Sequence, residues 1–217
     1  MTFVDIIAAL SKGAAYTVGV TVACIATGFT VGLAVAVIRR LGWRFAAPLT
    51  NVYLAVFRGV PMLVLLFMVF FGLPSLGIQV PPLAAMMLSL GLISGAYLSE
   101  VFRGALNAVE PDEILAAQAM GLTRWQTLRC IELPQMLRAS VPGMINEFTT
   151  VLKYSPFAYT VGIPEIMKQA TALVSTTMRG VEIYLAVGLM YFSIYWMLVL
   201  GVWTIERCFR VPGLTHR

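Results

Sequence analysis

Apolar residues run without a charge from Ala14 to Ile38 and stop at Arg39-Arg40. A hydrocarbon core about 30 Å thick needs roughly 20 residues of helix, so this run predicts a first transmembrane span. Gly28 and Gly32 stand within it at the small-xxx-small spacing that lets helices approach closely. A second span is expected over 52–73, interrupted by Arg58-Gly59-Val60-Pro61 and closed by the turn signal Gly72-Leu73-Pro74-Ser75. A third covers 83–98 and ends near Glu100 and Arg103, and a fifth covers 181–205, from Glu182 to Glu206-Arg207. Between them lies a less apolar fourth, 141–161, carrying Asn146, Glu147, Lys153, Tyr154 and Pro156. The pattern predicts an all-α integral membrane protein with five transmembrane helices, a single domain over 1–217, and termini on opposite sides of the bilayer.

Composition agrees: 59% of residues are hydrophobic and 12% charged, where a soluble domain carries about 25% charged residues. A chain of 217 residues has no room for a large soluble domain beside these spans. The net charge of +5 comes from residues scattered singly at the ends of apolar runs, without a basic stripe, which excludes nucleic acid as a partner. The one histidine is His216, and Cys24, Cys130 and Cys208 have no metal-ligand spacing. Histidine-dependent catalysis and a metal centre therefore lack their central groups. There is no Gly-rich phosphate loop, so the chain carries no ATPase site of its own. The N-terminal apolar run is as long as a full span and reads as a retained helix rather than a cleaved signal.

Lysine and arginine fix the orientation. With the Arg39 end inside, eleven arginines (39, 40, 44, 58, 103, 124, 129, 138, 207, 210 and 217) are cytoplasmic, and only Lys12, Lys168 and Arg179 lie outside. That asymmetry places the N-terminus outside, the C-terminus inside and the polar interruption 104–138 in the cytoplasm. Glu165 and Glu182 fall on the outer side, where they would meet water or a partner.

Within the interruption, Pro111-Asp112-Glu113 is a helix start, Ile114 to Met120 are helix formers and Gly121 is a stop, so a short exposed helix is expected. The polar residues of the fourth span are costly at membrane depth unless they face protein or an aqueous path. Glu147 is open to two roles, lining such a path or pairing with Lys153, and Asn146 to path lining or interhelical bonding.

Leu115-Ala116-Ala117, then Gly121, then Ile131-Glu132-Leu133-Pro134 resemble the EAA loop by which bacterial ABC importer permeases grip their ATPases. Phe57-Arg58-Gly59-Val60-Pro61, the run Ala96-Tyr97-Leu98-Ser99-Glu100-Val101-Phe102-Arg103-Gly104, and Asn146-Glu147-Phe148 with Lys153 are similar to motifs of the polar amino-acid permeases, in the same order. The resemblance implies a type I ABC importer permease fold with a cytoplasmic coupling helix. It implies ATPase docking at Asp112, Glu113, Leu115, Ala116, Ala117 and Gly121, and a substrate path near Glu147, Asn146, Lys153, Tyr154, Ser155, Tyr97 and Ser94. It also implies a place in the bacterial inner membrane and alternating access driven by two ATPase subunits, which hold the ATP and Mg, this chain having no cofactor. The remaining partners would be a second permease, identical or related, and an extracytoplasmic solute-binding protein. Two departures stand out. Leu115 replaces the family's usual glutamate, and Lys153-Tyr154-Ser155-Pro156-Phe157 stands where the family reads Lys-Asp-Thr-Ser-Leu, so a basic amino acid fits the resemblance less well. A passive channel or an ABC permease for another class of solute are the rival readings.

Overall fold

The computed structural model describes residues 2–43 and 46–209. Of the residues used above, Arg44, Arg210, His216 and Arg217 lie outside that range, as do the side chains of Glu206, Arg207 and Cys208.

Helix α1, Phe3–Leu41, begins well before the charge-free run, because Thr2 and Asp5 form a reciprocal capping box. At 39 residues it is about 58 Å long, so it exceeds the bilayer core at one end or both. It stops at Gly42, whose φ of 71° closes the last turn with a bond to the Arg39 carbonyl. Helix α2, Ala46–Gly59, follows, and then α3, Met62–Phe67, which runs on through a π turn, Met68–Gly72, and a 3₁₀ turn, Leu73–Leu76. The second apolar run is thus not one straight helix. At Pro61 the direction changes by 107°, as expected where proline removes a helical donor.

Helix α4, Pro82–Met86, passes through a π turn, Met87–Gly91, into α5, Leu92–Asn107. The polar interruption supplies α6, Pro111–Ala119, α7, Arg124–Thr127, a π turn, Leu128–Glu132, and α8, Leu133–Ala139. The fourth apolar run becomes α9, Val141–Tyr154, only 14 residues long, followed by a 3₁₀ segment, Ser155–Val161, with Pro156 in its first turn. Helices α10, Ile166–Thr177, and α11, Gly180–Phe209, complete the described chain. Among the described residues three helical stretches are long and apolar enough to cross a membrane, Phe3–Leu41, Pro82–Asn107 and Gly180–Thr204, and the pair bent at Pro61 makes a fourth if it counts as one span.

Helix α1 is the spine of the packing, since each of three apolar clusters takes residues from a different part of it. Ile6 and Leu10 pack with α10 and α11 through Ile166, Ala170, Ile183 and Ala186. Val20 and Cys24 join Met62, Leu66, Met86, Leu90 and Val151. Ala36 meets Leu98, Phe102, Leu106, Leu128 and Met136 near the cytoplasmic arginines. Its most extensive contact is with α5, where Gly28 and Gly32 face Ser94, Gly91, Gly95 and Leu98 so closely that a β-carbon at Gly32 would come within 2.9 Å of the Gly95 carbonyl oxygen.

Glu165, expected to face water or a partner, is instead buried at 1% exposure. Its carboxylate accepts bonds from the backbone N–H groups of Met167 and Lys168, each at 2.8 Å, and from the Tyr191 hydroxyl at 2.7 Å. The Thr17 hydroxyl donates at 3.5 Å and accepts from the Ile166 N–H at 3.2 Å, so one acid caps α10 and ties it to α1 and α11. Glu165→Ala would strand these donors in a dry site and is expected to lower stability by about 2–4 kcal/mol. Thermal unfolding in detergent checks this, and a melt unchanged from the wild type would refute the clamp.

Candidate functional site

Two regions carry polar chemistry that the apolar packing does not explain. The first is α6. Glu110 precedes it with extended backbone, Pro111 takes the first turn without losing a needed donor, and Asp112 and Glu113 lie where the helix dipole favours acids. The helix closes on Gly121, whose φ of 86° is a left-handed conformation; the Gly121 and Leu122 N–H groups return to the carbonyls of Gln118 and Ala117. Thr123 then opens α7 with a capping box to Gln126. Glu113 accepts a hydrogen bond from Gln135, fastening α6 to α8.

This helix stands exposed. Asp112, Glu113, Ala116 and Gly121 are open to solvent, and Leu115 and Met120 are 61% and 81% exposed. Ala117 is not: it is 4% exposed and seats α6 against the rest of the loop. Of the two alanines to which the resemblance assigns docking, only Ala116 is thus open to a partner, with Leu115 and Met120 beside it. Next to it is a hollow of about 600 Å³, lined by Glu113, Ala116 and Met120 on one side and Ile131, Pro134 and Arg138 on the other. Exposed large apolar side chains grouped with acids are the composition of a contact surface.

The second region is α9. Glu147 is buried on α9, which packs against α5, the helix that carries Ser94. The Ser94 hydroxyl is itself buried and has no hydrogen-bond partner among the described residues. No ion pair joins Glu147 to Lys153, so that pairing is not made. Asn146, Thr150 and Lys153, at i, i+4 and i+7, line one open or half-open face of α9. Thr150, missed in the sequence, was signalled by that spacing; its hydroxyl bonds back to the Asn146 carbonyl at 2.9 Å.

Tyr154 is exposed and stacks with Phe157, while Ser155 is buried and bonds back to the Leu152 carbonyl. Tyr97 lies elsewhere, on α5, with the Arg58 guanidinium 5.3 Å from its ring centre. These two and Leu54 line a separate hollow of about 390 Å³ at the bend after α2. The residues expected along one path thus divide into the buried Glu147 and Ser94, an open face of α9, and the Arg58–Tyr97 hollow.

Residues 28–205 match the family model described as "Binding-protein-dependent transport system inner membrane component". A probable amino-acid permease of Bacillus subtilis, YxeN, is 37% identical over 70% of this chain and 67% of its own length. The glutamine transport system permease GlnP of Escherichia coli is 29% identical over 93% of both chains. The crystal structure of an amino acid ABC transporter with histidines superposes with a TM-score of 0.84 at 27% identity, covering 95% of this chain and 98% of that one. The exposed helix α6, the polar face of α9 and the family match over most of the chain lead to one conclusion: this is a multi-pass membrane protein of the binding-protein-dependent transport family, a permease subunit of an ABC importer whose ATPase site is on partner subunits.

Proposed function

We propose that this chain moves a polar amino acid, or a closely related small solute, into the cytoplasm by alternating access in the bacterial inner membrane. The observation that carries the reading is the open face of α9, where Asn146, Thr150 and Lys153 stand without apolar cover in a membrane protein. Such groups persist at membrane depth only against water or protein. The names of the amino-acid and glutamine permeases among the relatives support the solute class.

Lys153, on the open face, is the cation available to an α-carboxylate, and Glu147, beside Asn146 but buried against α5, is the acid an α-amino group would meet where the path reaches that side. Tyr154 in place of the family's usual aspartate favours an uncharged solute side chain over a basic one. The assembled importer contains a second permease, identical or related, facing this one, with two ATPase subunits at the α6 end and an extracytoplasmic solute-binding protein at the other. Five crossings follow if the pair bent at Pro61 counts as one and α9 with the 3₁₀ segment after it as another. The N-terminus is then outside and the C-terminus inside, in keeping with the arginines gathered around α6. A solute or nucleotide drives the cycle only by binding one of the two states better than the other.

Uptake of L-glutamine into vesicles holding the complete importer tests the reading. ATP-dependent uptake is expected, and Glu147→Ala is expected to reduce it by about tenfold, the scale of one lost charged contact, and by more than Arg58→Ala does. Uptake that proceeds without ATP would identify a passive facilitator instead. Equal losses from the two substitutions would remove Glu147 from the path.

A further inference from the structure

We infer that the Arg40–Glu132 ion pair, with Arg124 closing on the same turn of α1, is the joint through which the cytoplasmic loop moves α1. The inference rests on the importer reading above, in which α6 receives the motion of the ATPase.

Glu132 ends the π turn between α7 and α8 and is 5% exposed. A carboxylate so deeply covered needs a counter-charge, and Arg40, in the last turn of α1, supplies it through Nε. The Arg124 Nη2, from the start of α7, donates to the Arg40 carbonyl at 2.7 Å, satisfying one of the carbonyls that a helix end leaves open. The loop therefore grips α1 at the side chain and the backbone of one residue. Exposed ion pairs contribute little, but this one has a buried partner and a second bond beside it.

The loop side of the joint leads back to α6. Glu113 of α6 is bonded to Gln135 of α8, one turn beyond Glu132, so a displacement of α6 reaches the segment that holds the pair. The α1 side leads across the membrane. Its Gly28 and Gly32 are locked against α5, and beyond them Thr17 meets Glu165 and the start of α10. Arg39, the neighbour of Arg40, faces away from the loop: it pairs with Glu100 of α5 at 3.1 Å and bonds Asn51 of α2 at 3.1 Å. One helix end thus carries two charge contacts with different destinations, and only that of Arg40 reaches the loop. Arg40, Glu132 and Arg124 are positioning residues, acting on the path through α1.

The test reads motion without needing the solute. In a cysteine-free background, Tyr159→Cys, exposed on the 3₁₀ segment after α9 and outside the residues assigned to the path, is labelled with a membrane-impermeant maleimide, in the complete importer, with and without trapping by ATP and vanadate. The wild-type background is expected to change its labelling rate on trapping. Glu132→Gln and Arg124→Ala are expected to shrink that change by at least about fivefold, the low end of coupling between two sites, while ATP hydrolysis continues. The exchange Arg40→Glu with Glu132→Arg is expected to restore at least half of it, and Arg39→Gln to keep it. If Glu132→Gln fails to assemble, Arg124→Ala decides, its side chain being exposed. A full change in Arg124→Ala, no rescue by the exchange, or an equal loss in Arg39→Gln overturns the joint. Absence of the change in the wild-type background overturns the importer reading and the joint with it.

Discussion

Gly32→Val is expected to leave little folded protein in the membrane. A β-carbon there lies 2.9 Å from the Gly95 carbonyl oxygen, 2.9 Å from the Leu98 β-carbon and 3.1 Å from the Ser99 N–H nitrogen. Two of these three are backbone atoms of α5, so no rotamer change relieves the clash and the two helices must separate. Separation would also break contact at Gly28, where the obstruction is Ser94, and at Gly95, where a β-carbon would come within 3.2 Å of the Val31 β-carbon and 3.3 Å of the Gly28 carbonyl oxygen. Overfilling a tight contact costs about 3 kcal/mol when the surroundings cannot yield, a large share of the whole stability of a domain. Gly19 is the internal control. It lies on the same helix with nothing within 4 Å, so Gly19→Ala is expected to change stability by less than about 0.5 kcal/mol. Thermal unfolding of both variants in detergent compares them directly. A Gly32→Val protein that melts with the wild type would mean that α1 and α5 do not cross here.

The same pair of helices explains what was readable in the sequence. Small-xxx-small spacing at Gly28 and Gly32 signalled a close crossing, because only small residues allow one. The opposing Gly91 and Gly95 identify α5 as the partner, which spacing alone leaves open. Helix α6 was legible from local rules, a proline–acid start and a glycine stop, since its ends are satisfied within its own few residues. Helix α10 was not, because its cap, Glu165, draws on Thr17 and Tyr191 from distant parts of the chain. The orientation of Ala117 was hidden for a similar reason. Which alanine of a pair faces inward depends on how α6 is seated against α7 and the π turn after it, and no residue inside the motif decides it.

Leu115 carries the second large effect. It is 61% exposed on the free chain, so Leu115→Arg is expected to insert and fold normally, a surface change being worth less than about 0.5 kcal/mol. In the docking proposed for α6 the balance differs. Leu115 and Met120 offer the apolar area on a face otherwise acidic through Asp112 and Glu113, which calls for a partner surface that is basic around an apolar centre. An arginine at 115 removes the apolar contact and sets like charge against that surface, a loss of at least about 2 kcal/mol, roughly 30-fold in affinity. ATP-driven uptake is expected to fall with it. Leu115→Glu restores the acid usual in the family this chain resembles, and is expected to hold the ATPase within about threefold of the wild type. The pair of substitutions separates docking from folding better than Ala117→Asp, which would bury a charge under α6 and unseat the helix before any partner arrived. Copurification of the ATPase with each variant, scored beside the amount of inserted permease, is the measurement. Equal retention by Leu115→Arg and the wild type would move the docking surface away from this face of α6.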